Sequence, residues 1–224
     1  GKTIFSFEVF PPKKESGIET VYDTIEKLTD LKPDFISVTY GAGGSGVTNP
    51  ITKDICSKIK NEYKLETIAH LSCINNTKDE IDKILEELKK EGIDNILALR
   101  GDRVEGLEPK KDFTYASDLT KYIMDKGGFH VSGACYPEVH MEAKDAVDDI
   151  KNLKKKVDAG ADHLISQLFF DNRVFYDFLE RARIADINVP IEAGIMPVTS
   201  KSQIERMVTM CGASIPASLS RIMQ

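Results

Sequence analysis

Glu8 lies within Phe5-Ser6-Phe7-Glu8-Val9-Phe10-Pro11-Pro12, a carboxylate among apolar and aromatic neighbours. Desolvation of such a group raises its pKa and makes it a candidate general acid. A carboxylate paired with an Arg or Lys from elsewhere in the fold fits the same residues equally well. Further polar residues recur at the ends of short apolar runs: Thr39, His70, Asp102 after Leu99-Arg100-Gly101, Tyr136 after Ala134-Cys135, and Gln167. His70 and His140 have no H-x-x-x-H or H-E-x-x-H partner, and Cys56, Cys73, Cys135 and Cys211 form no C-x-x-C pair. No metal site is therefore expected, and both histidines are expected to serve as hydrogen-bonding groups. The charged run Asp148–Lys156 reads as a solvated helix face, yet Asp149, Asn152 and Lys156 share one stripe at i, i+3 and i+7 and are able to touch a ligand together.

The elements that must position these residues alternate. β-branched or aromatic runs at Thr3–Phe7, Phe35–Thr39, Thr67–Leu71, Asn95–Leu99, His130–Ala134, His163–Leu168 and Pro190–Ala193 predict strands. Between them the apolar spacing turns helical, as in Ile18, Val21, Tyr22, Ile25, Leu28 and in Ile81, Ile84, Leu85, Leu88. Gly92 and Gly160 stand where left-handed caps would stop two of the helices. Strictly alternating strand and helix require parallel strands, either in a doubly wound sheet or in a (β/α)8 TIM barrel. Successive strands carrying polar residues at their C-terminal ends favour the barrel, because a barrel gathers all strand ends at one mouth whereas an open sheet concentrates function at one switch point. Seven units are visible, and the sequence stops at Ile222-Met223-Gln224 where an eighth strand is due. The expectation is a single barrel domain, 1–224, lacking its eighth βα unit and incomplete at the C-terminus.

Three spellings carry less weight. Gly41-Ala42-Gly43-Gly44-Ser45-Gly46 matches G-x-G-x-x-G, but Asn49-Pro50 opens the following helix and the next strand ends at His70-Leu71 without an acidic residue for a ribose. A flexible barrel loop explains it better than a dinucleotide fingerprint. Arg100-Gly101-Asp102 ends a buried strand and so does not suit an adhesion tripeptide, and Asn75-Asn76-Thr77 is a glycosylation sequon by spelling alone.

With 30 Lys plus Arg against 36 Asp plus Glu, the net charge of −6 and the lack of a basic block argue against nucleic acid or an anionic membrane as partner. The apolar runs are too short to span a bilayer, no signal peptide is expected, and four scattered cysteines suit a reducing compartment, so a cytoplasmic location is expected.

Taken together, Phe5-Ser-Phe-Glu-Val-Phe-Pro-Pro-Lys13, Val38-Thr-Tyr-Gly41, Ala98-Leu-Arg-Gly-Asp102, Tyr115-Ala-Ser-Asp118, Tyr136-Pro-Glu-Val-His140 and Ser166-Gln-Leu-Phe-Phe-Asp171 resemble the methylenetetrahydrofolate reductase family of bacterial, FAD-dependent type. The resemblance implies a (β/α)8 barrel that binds FAD and passes hydride from NAD(P)H through the flavin to 5,10-methylenetetrahydrofolate, an oxidoreductase of one-carbon metabolism. It implies that Glu8 is the acid opening the folate's five-membered ring, and that Asp102 lies near flavin and pterin, where its charge stabilises a cationic iminium. Gln167 and Gln203 are then substrate contacts. Contacts to FAD are implied for Thr39, His70, Arg100, Gly101, Asp102, Tyr115, Ala116, Tyr136, His140, Asp149, Asn152 and Lys156. Met207 departs from the pattern, standing where some bacterial members carry a nicotinamide-stacking Phe. That departure keeps open a family-related subunit that takes electrons from a partner protein in place of free NAD(P)H. Homo-oligomerisation is expected from the family alone.

Overall fold

In a computed structural model, residues 3–12, 15–40, 50–103, 106 and 108–222 are described. The 41–46 glycine motif, Lys13 and the terminal Met223-Gln224 lie outside the described residues. Strand and helix alternate as β1 (Ser6–Val9), α1 (Ile18–Thr29), β2 (Phe35–Val38), α2 (Pro50–Asn61), β3 (Glu66–Ser72), α3 (Lys78–Lys90), β4 (Asn95–Leu99), α4 (Ala116–Lys126), β5 (His130–Cys135), α5 (Ala146–Asp158), β6 (His163–Ser166), α6 (Asn172–Ile184), β7 (Ile191–Glu192), α7 (Lys201–Cys211) and α8 (Ala217–Ile222). Strand order in the sheet is the sequence order, β1 to β7. A doubly wound sheet reverses its order at a switch point, and this one does not, so the topology is that of the (β/α)8 class. Among the described residues there is no eighth strand. The segment Ala217–Ile222 is a short helix.

The boundaries of the first and last strands shift from the expected ones for a reason in the backbone. Phe5 exchanges two bonds with Asp34, its N–H donating to the Asp34 carboxylate at 2.9 Å and its carbonyl accepting from the Asp34 N–H at 2.7 Å. Pro33 precedes Asp34 and has no N–H to extend that ladder, so β1 begins at Ser6 instead of Thr3. Pro190 likewise lends β7 only its carbonyl, which accepts from Leu164 N–H at 2.9 Å.

The chain forms two compact units, 1–132 and 133–224, with the boundary inside β5. In the first unit the registers Glu8↔Ser37↔Ile68 and Val9↔Val38↔Ala69 fix which side chains share a face. Side chains alternate along a strand, so Val9, Ile36, Val38, Ala69, Leu71, Ile96 and Ala98 form one face, and all are buried in the core with Ile25, Ile55, Ile59, Ile81 and Leu119 of the helices. Glu8, Ser37, Ile68, His70 and Leu97 therefore occupy the opposite face. Helix α3 starts at a capping box, with the Thr77 hydroxyl accepting from Glu80 N–H and the Glu80 carboxylate from Thr77 N–H. In the second unit Cys135, Leu153, Leu164, Phe178, Ala182 and Ile187 form a separate cluster. Among the described residues no helix is long and apolar enough to cross a membrane.

Ile36 is fully buried between β2 and the helices, so Ile36→Ala leaves a cavity. Urea denaturation of this variant should show a loss of about 2–5 kcal/mol. Thr77→Ala, which removes one cap bond, should cost only about 1 kcal/mol.

Candidate active site

In the first unit the chemistry gathers on the face opposite the helices. Alternation turns the aromatic Phe7 and the aliphatic Val9 toward the helices, so the sequence neighbours of Glu8 are not what surrounds its carboxyl. Its partners come from the adjoining strands: Ser37 hydrogen-bonds to the carboxylate, and His70 Nε2 stands 3.5 Å from Glu8 Oε2. Glu8 lies inside β1, one residue before its end. The side chain keeps 43% of its accessible surface, yet the protein packed around the carboxyl strips enough hydration to raise its pKa, with the Ser37 hydrogen bond opposing the rise. Among the described residues the group at ion-pair distance is His70, not an Arg or Lys.

His70 is 7% exposed, and burial lowers its pKa to about 4. The imidazole is therefore neutral at pH 7, and its contact with Glu8 is not an ion pair there. Among the described residues Nε2 is buried without a hydrogen-bond partner. Thr39 follows β2 directly; its N–H donates to Val9 O at 3.0 Å and its carbonyl accepts from the Thr52 hydroxyl at 3.0 Å.

The end of β4 is shaped by Gly101. Its φ of +88° and the 2.9 Å that a Cβ would leave to Ser72 Cβ both demand glycine. Arg100 is half-buried and its Nε donates to Gly101 O at 3.2 Å, whereas Asp102 is exposed. Cys73 Sγ lies 3.7 Å from both the Arg100 and the Tyr115 carbonyls, tying the start of α4 to this turn. Tyr115 is 62% exposed, while Ala116 is buried. Burial pushes the thiols of Cys56, Cys73 and Cys135 up to about 12, so none of the three is a thiolate nucleophile at neutral pH.

In the second unit Tyr136, His140, Asp149 and Lys156 come together. The Tyr136 and His140 rings meet edge to face at 4.5 Å, and Lys156 Nζ donates to Ala134 O at 2.6 Å while lying 5.7 Å over the Tyr136 ring. Burial raises the Asp149 pKa, and the His140 backbone N–H and the Lys156 charge oppose it. His140 Nδ1 accepts from Glu142 N–H at 3.1 Å, the role expected of it. Asn152 does not join the group: it donates to Asp148 at 3.3 Å and accepts from Lys155 at 2.9 Å. Gln167 N–H donates to Cys135 O at 2.8 Å, and Gln167 Oε1 accepts from Leu168 N–H at 2.8 Å. Gln203 caps its own helix turn, accepting from Thr199 N–H at 3.1 Å and from the Thr199 hydroxyl at 2.7 Å. Met207 is half-buried on α7.

Sequence reasoning missed three residues. Ser37 is 3% exposed and becomes visible only when the β1–β2 register is known. Glu138 accepts from Ser214 N–H at 3.0 Å through both carboxylate oxygens, and Arg181 Nη2 donates to Pro137 O at 2.8 Å. These two clamp the Tyr136–His140 turn, in which the β-branched Val139 is held at φ 71°.

The chain matches the family "Methylenetetrahydrofolate reductase" over residues 1–224. It is 42% identical over 222 residues to the 5,10-methylenetetrahydrofolate reductase of Escherichia coli, covering 99% of this chain and 74% of that one. With methylenetetrahydrofolate reductase (NADH) 1 of Arabidopsis thaliana it shares 39% identity over 239 residues, 100% of this chain but 40% of the relative, so it spans well under half of the plant protein. Among solved structures, an uncharacterized Clostridium thermocellum protein that binds two copies of 5-methyl-5,6,7,8-tetrahydrofolic acid superposes at a TM-score of 0.67 with 20% identity, covering 98% of this chain and 74% of that chain.

The neutrality of buried His70 has a measurable consequence. Its pKa falls from 6.5 to about 4 on folding, so between those values the unfolded state binds more protons than the folded one. Stability from this group is complete above pH 6.5 and is lost as pH falls toward 4, by roughly 3 kcal/mol in total. Urea unfolding across that window should show a shallower pH dependence for His70→Gln than for the parent. Equal slopes would mean that His70 does not titrate as buried.

Proposed function

The chain belongs to the methylenetetrahydrofolate reductase family, and from that premise we propose that it reduces 5,10-methylenetetrahydrofolate to 5-methyltetrahydrofolate with hydride drawn from NAD(P)H through FAD. The observation that carries the reading is Glu8: a carboxyl still open to solvent, with a raised pKa and a neutral imidazole beside it in place of a cation. A carboxyl whose pKa is raised by burial keeps its proton to higher pH than a surface glutamate and can deliver it, which a carboxylate fixed to Arg does not do.

The residues present suit FAD. In the first unit His70 offers a buried Nε2 with no partner of its own, and Gly101 keeps the β4 end free of a side chain. In the second unit Lys156 supplies a cation beside an aromatic ring, the donor type that a diphosphate takes, and Asp149 supplies an acceptor of the type that ribose hydroxyls take. Thr39, Arg100, Asp102, Tyr115, Ala116, Tyr136, His140 and Asn152 complete the proposed cofactor set, and Gln167 and Gln203 with Glu8 and Asp102 the substrate set. Bound flavin would supply the hydride relay between nicotinamide and folate. Glu8 gives its proton to the folate nitrogen whose ring bond breaks, and the Asp102 carboxylate offsets the positive charge that results. Pairing Asn152 as observed, with Asp148 and Lys155, means that it must turn to reach a ligand.

The full-length protein should purify yellow, and its flavin should bleach anaerobically on adding NADH or NADPH. Bleaching by neither nucleotide, with an intact folate half-reaction from chemically reduced flavin, would instead favour a protein electron donor. Glu8→Gln should slow the folate half-reaction on the order of 10² to 10⁴ while sparing flavin reduction by the nucleotide. Lys156→Ala should weaken FAD retention about tenfold to hundredfold, read as flavin fluorescence released on dialysis, whereas Lys155→Ala should retain it. Parent-like retention in both would remove Lys156 and the contacts at Asp149 and Asn152 from the cofactor site.

A further inference from the structure

A buried hydroxyl on a strand face needs a partner, since its desolvation is costly when no hydrogen bond replaces water. Ser37 is such a group, 3% exposed, with its side chain on the face opposite the helices and its Cα in register with Glu8. Among the described residues it is the hydrogen-bond donor to the Glu8 carboxyl. The other neighbour of that carboxyl, His70, stands 3.5 Å away and makes no hydrogen bond through Nε2. Nothing here resembles the fixed geometry of a bidentate ion pair. Among the described residues, the Ser37 hydroxyl is the group placed to orient the carboxyl plane.

We propose that Ser37 is a positioning residue for the ring-opening step, holding the Glu8 carboxyl so that its proton points to the folate nitrogen. The inference rests on the reading of Glu8 as the general acid. In that step the carboxyl O–H bond breaks and an N–H bond forms, while the ring C–N bond breaks with its electron pair going to nitrogen; Glu8 is left as a carboxylate. Ser37 then has a second use, because a donor hydrogen bond stabilises the carboxylate left behind. Burial alone would give an acid reluctant to let its proton go, and the hydroxyl offsets part of that reluctance. His70 on β3 is the titratable side chain that faces Glu8 among the described residues, and its pKa of about 4 leaves it neutral across the working range. His70 therefore does not contribute the alkaline limb, which falls to Glu8.

The test compares Ser37→Val with Ser37→Thr in the full-length protein loaded with FAD. The two replacements have the same shape and differ by a hydroxyl, so a packing defect affects both alike. Ser37→Val should slow the folate half-reaction by roughly threefold to tenfold, the worth of one neutral hydrogen bond, and move the alkaline limb of its pH profile to higher pH. The sign follows from losing a bond that favours the carboxylate: the acid stays protonated to higher pH. Ser37→Thr should recover the rate and the profile. Flavin reduction by the nucleotide should be equal in the two. A readout without turnover is the infrared carbonyl stretch of protonated Glu8, identified by its loss in Glu8→Gln. It should lie at higher frequency in Ser37→Val than in Ser37→Thr, because the hydroxyl no longer bonds to the carbonyl. Equal folate rates, pH limbs and carbonyl bands for Val and Thr would overturn the role of Ser37. A parent-like folate rate in Glu8→Gln would overturn the reading of Glu8 instead, so the two failures are distinguishable.

Discussion

A parallel strand flanked by helices has one face committed before any chemistry is chosen. In the first unit Val9, Ile36, Val38, Ala69, Leu71, Ile96 and Ala98 occupy that face and leave water together. The Val, Ile and Leu side chains each contribute a transfer free energy of about 1.5–3 kcal/mol, which makes a one-residue slip prohibitive. The same registry that seats these aliphatic residues forces Glu8, Ser37 and His70 onto the other face of three successive strands, with Glu8 and Ser37 in register and His70 two residues beyond Ile68, the partner of Ser37. The geometry of the proposed site thus depends on hydrophobic residues of the opposite face.

What that face then does to its polar groups is a matter of hydration. His70, deep in the strand, cannot keep a charge without a counter-ion within hydrogen-bond geometry, and it goes neutral. Neutral, it places no cation beside Glu8, whose carboxyl is pushed by its own burial toward the protonated form. Burial sets both states: it raises the Glu8 carboxyl and lowers the His70 imidazole, and both shifts favour the neutral form. One buried hydroxyl, that of Ser37, is left to trim the balance. Stability and chemistry diverge here, because a buried imidazole whose Nε2 lacks a partner is a cost to the fold and an opening for a ligand.

Periodicity and punctuation placed the strands within about three residues and every long helix, because apolar spacing reports directly on which face is buried. The sequential strand order followed from alternation. The site was legible at the level of residue type and not of contact. Glu8 was picked out by its aromatic neighbours Phe5, Phe7 and Phe10, but alternation turns Phe7 to the helix side, and the raised pKa comes from packing around the carboxyl. Ser37 was invisible because its importance lies in registry between strands separated by a whole helix, which composition does not encode. The stripe of Asp149, Asn152 and Lys156 was drawn from ideal helical angles. Local ion and amide pairing took Asn152 toward Asp148 and Lys155, at strengths of a few tenths of a kcal/mol that a sequence pattern does not rank.

The second unit shows how a strained turn is kept in place. Val139 has φ of 71°, a conformation in which a β-branched side chain crowds its own backbone at a cost of about 1–3 kcal/mol. Relaxation of Val139 would swing Tyr136 and His140 apart, and with them the edge-to-face contact and the His140 N–H that bonds Asp149. Two neighbours prevent it. Arg181 on α6 grips the Pro137 carbonyl, and the Glu138 carboxylate holds the Ser214 N–H just beyond α7. The Arg181–Pro137 bond is partly buried, where a charged donor contributes roughly 1.5–3 kcal/mol, of the size of the strain; the Glu138–Ser214 contact is exposed and adds less. The strain is therefore borne by α6 and by the segment after α7, not by the residues that face Lys156.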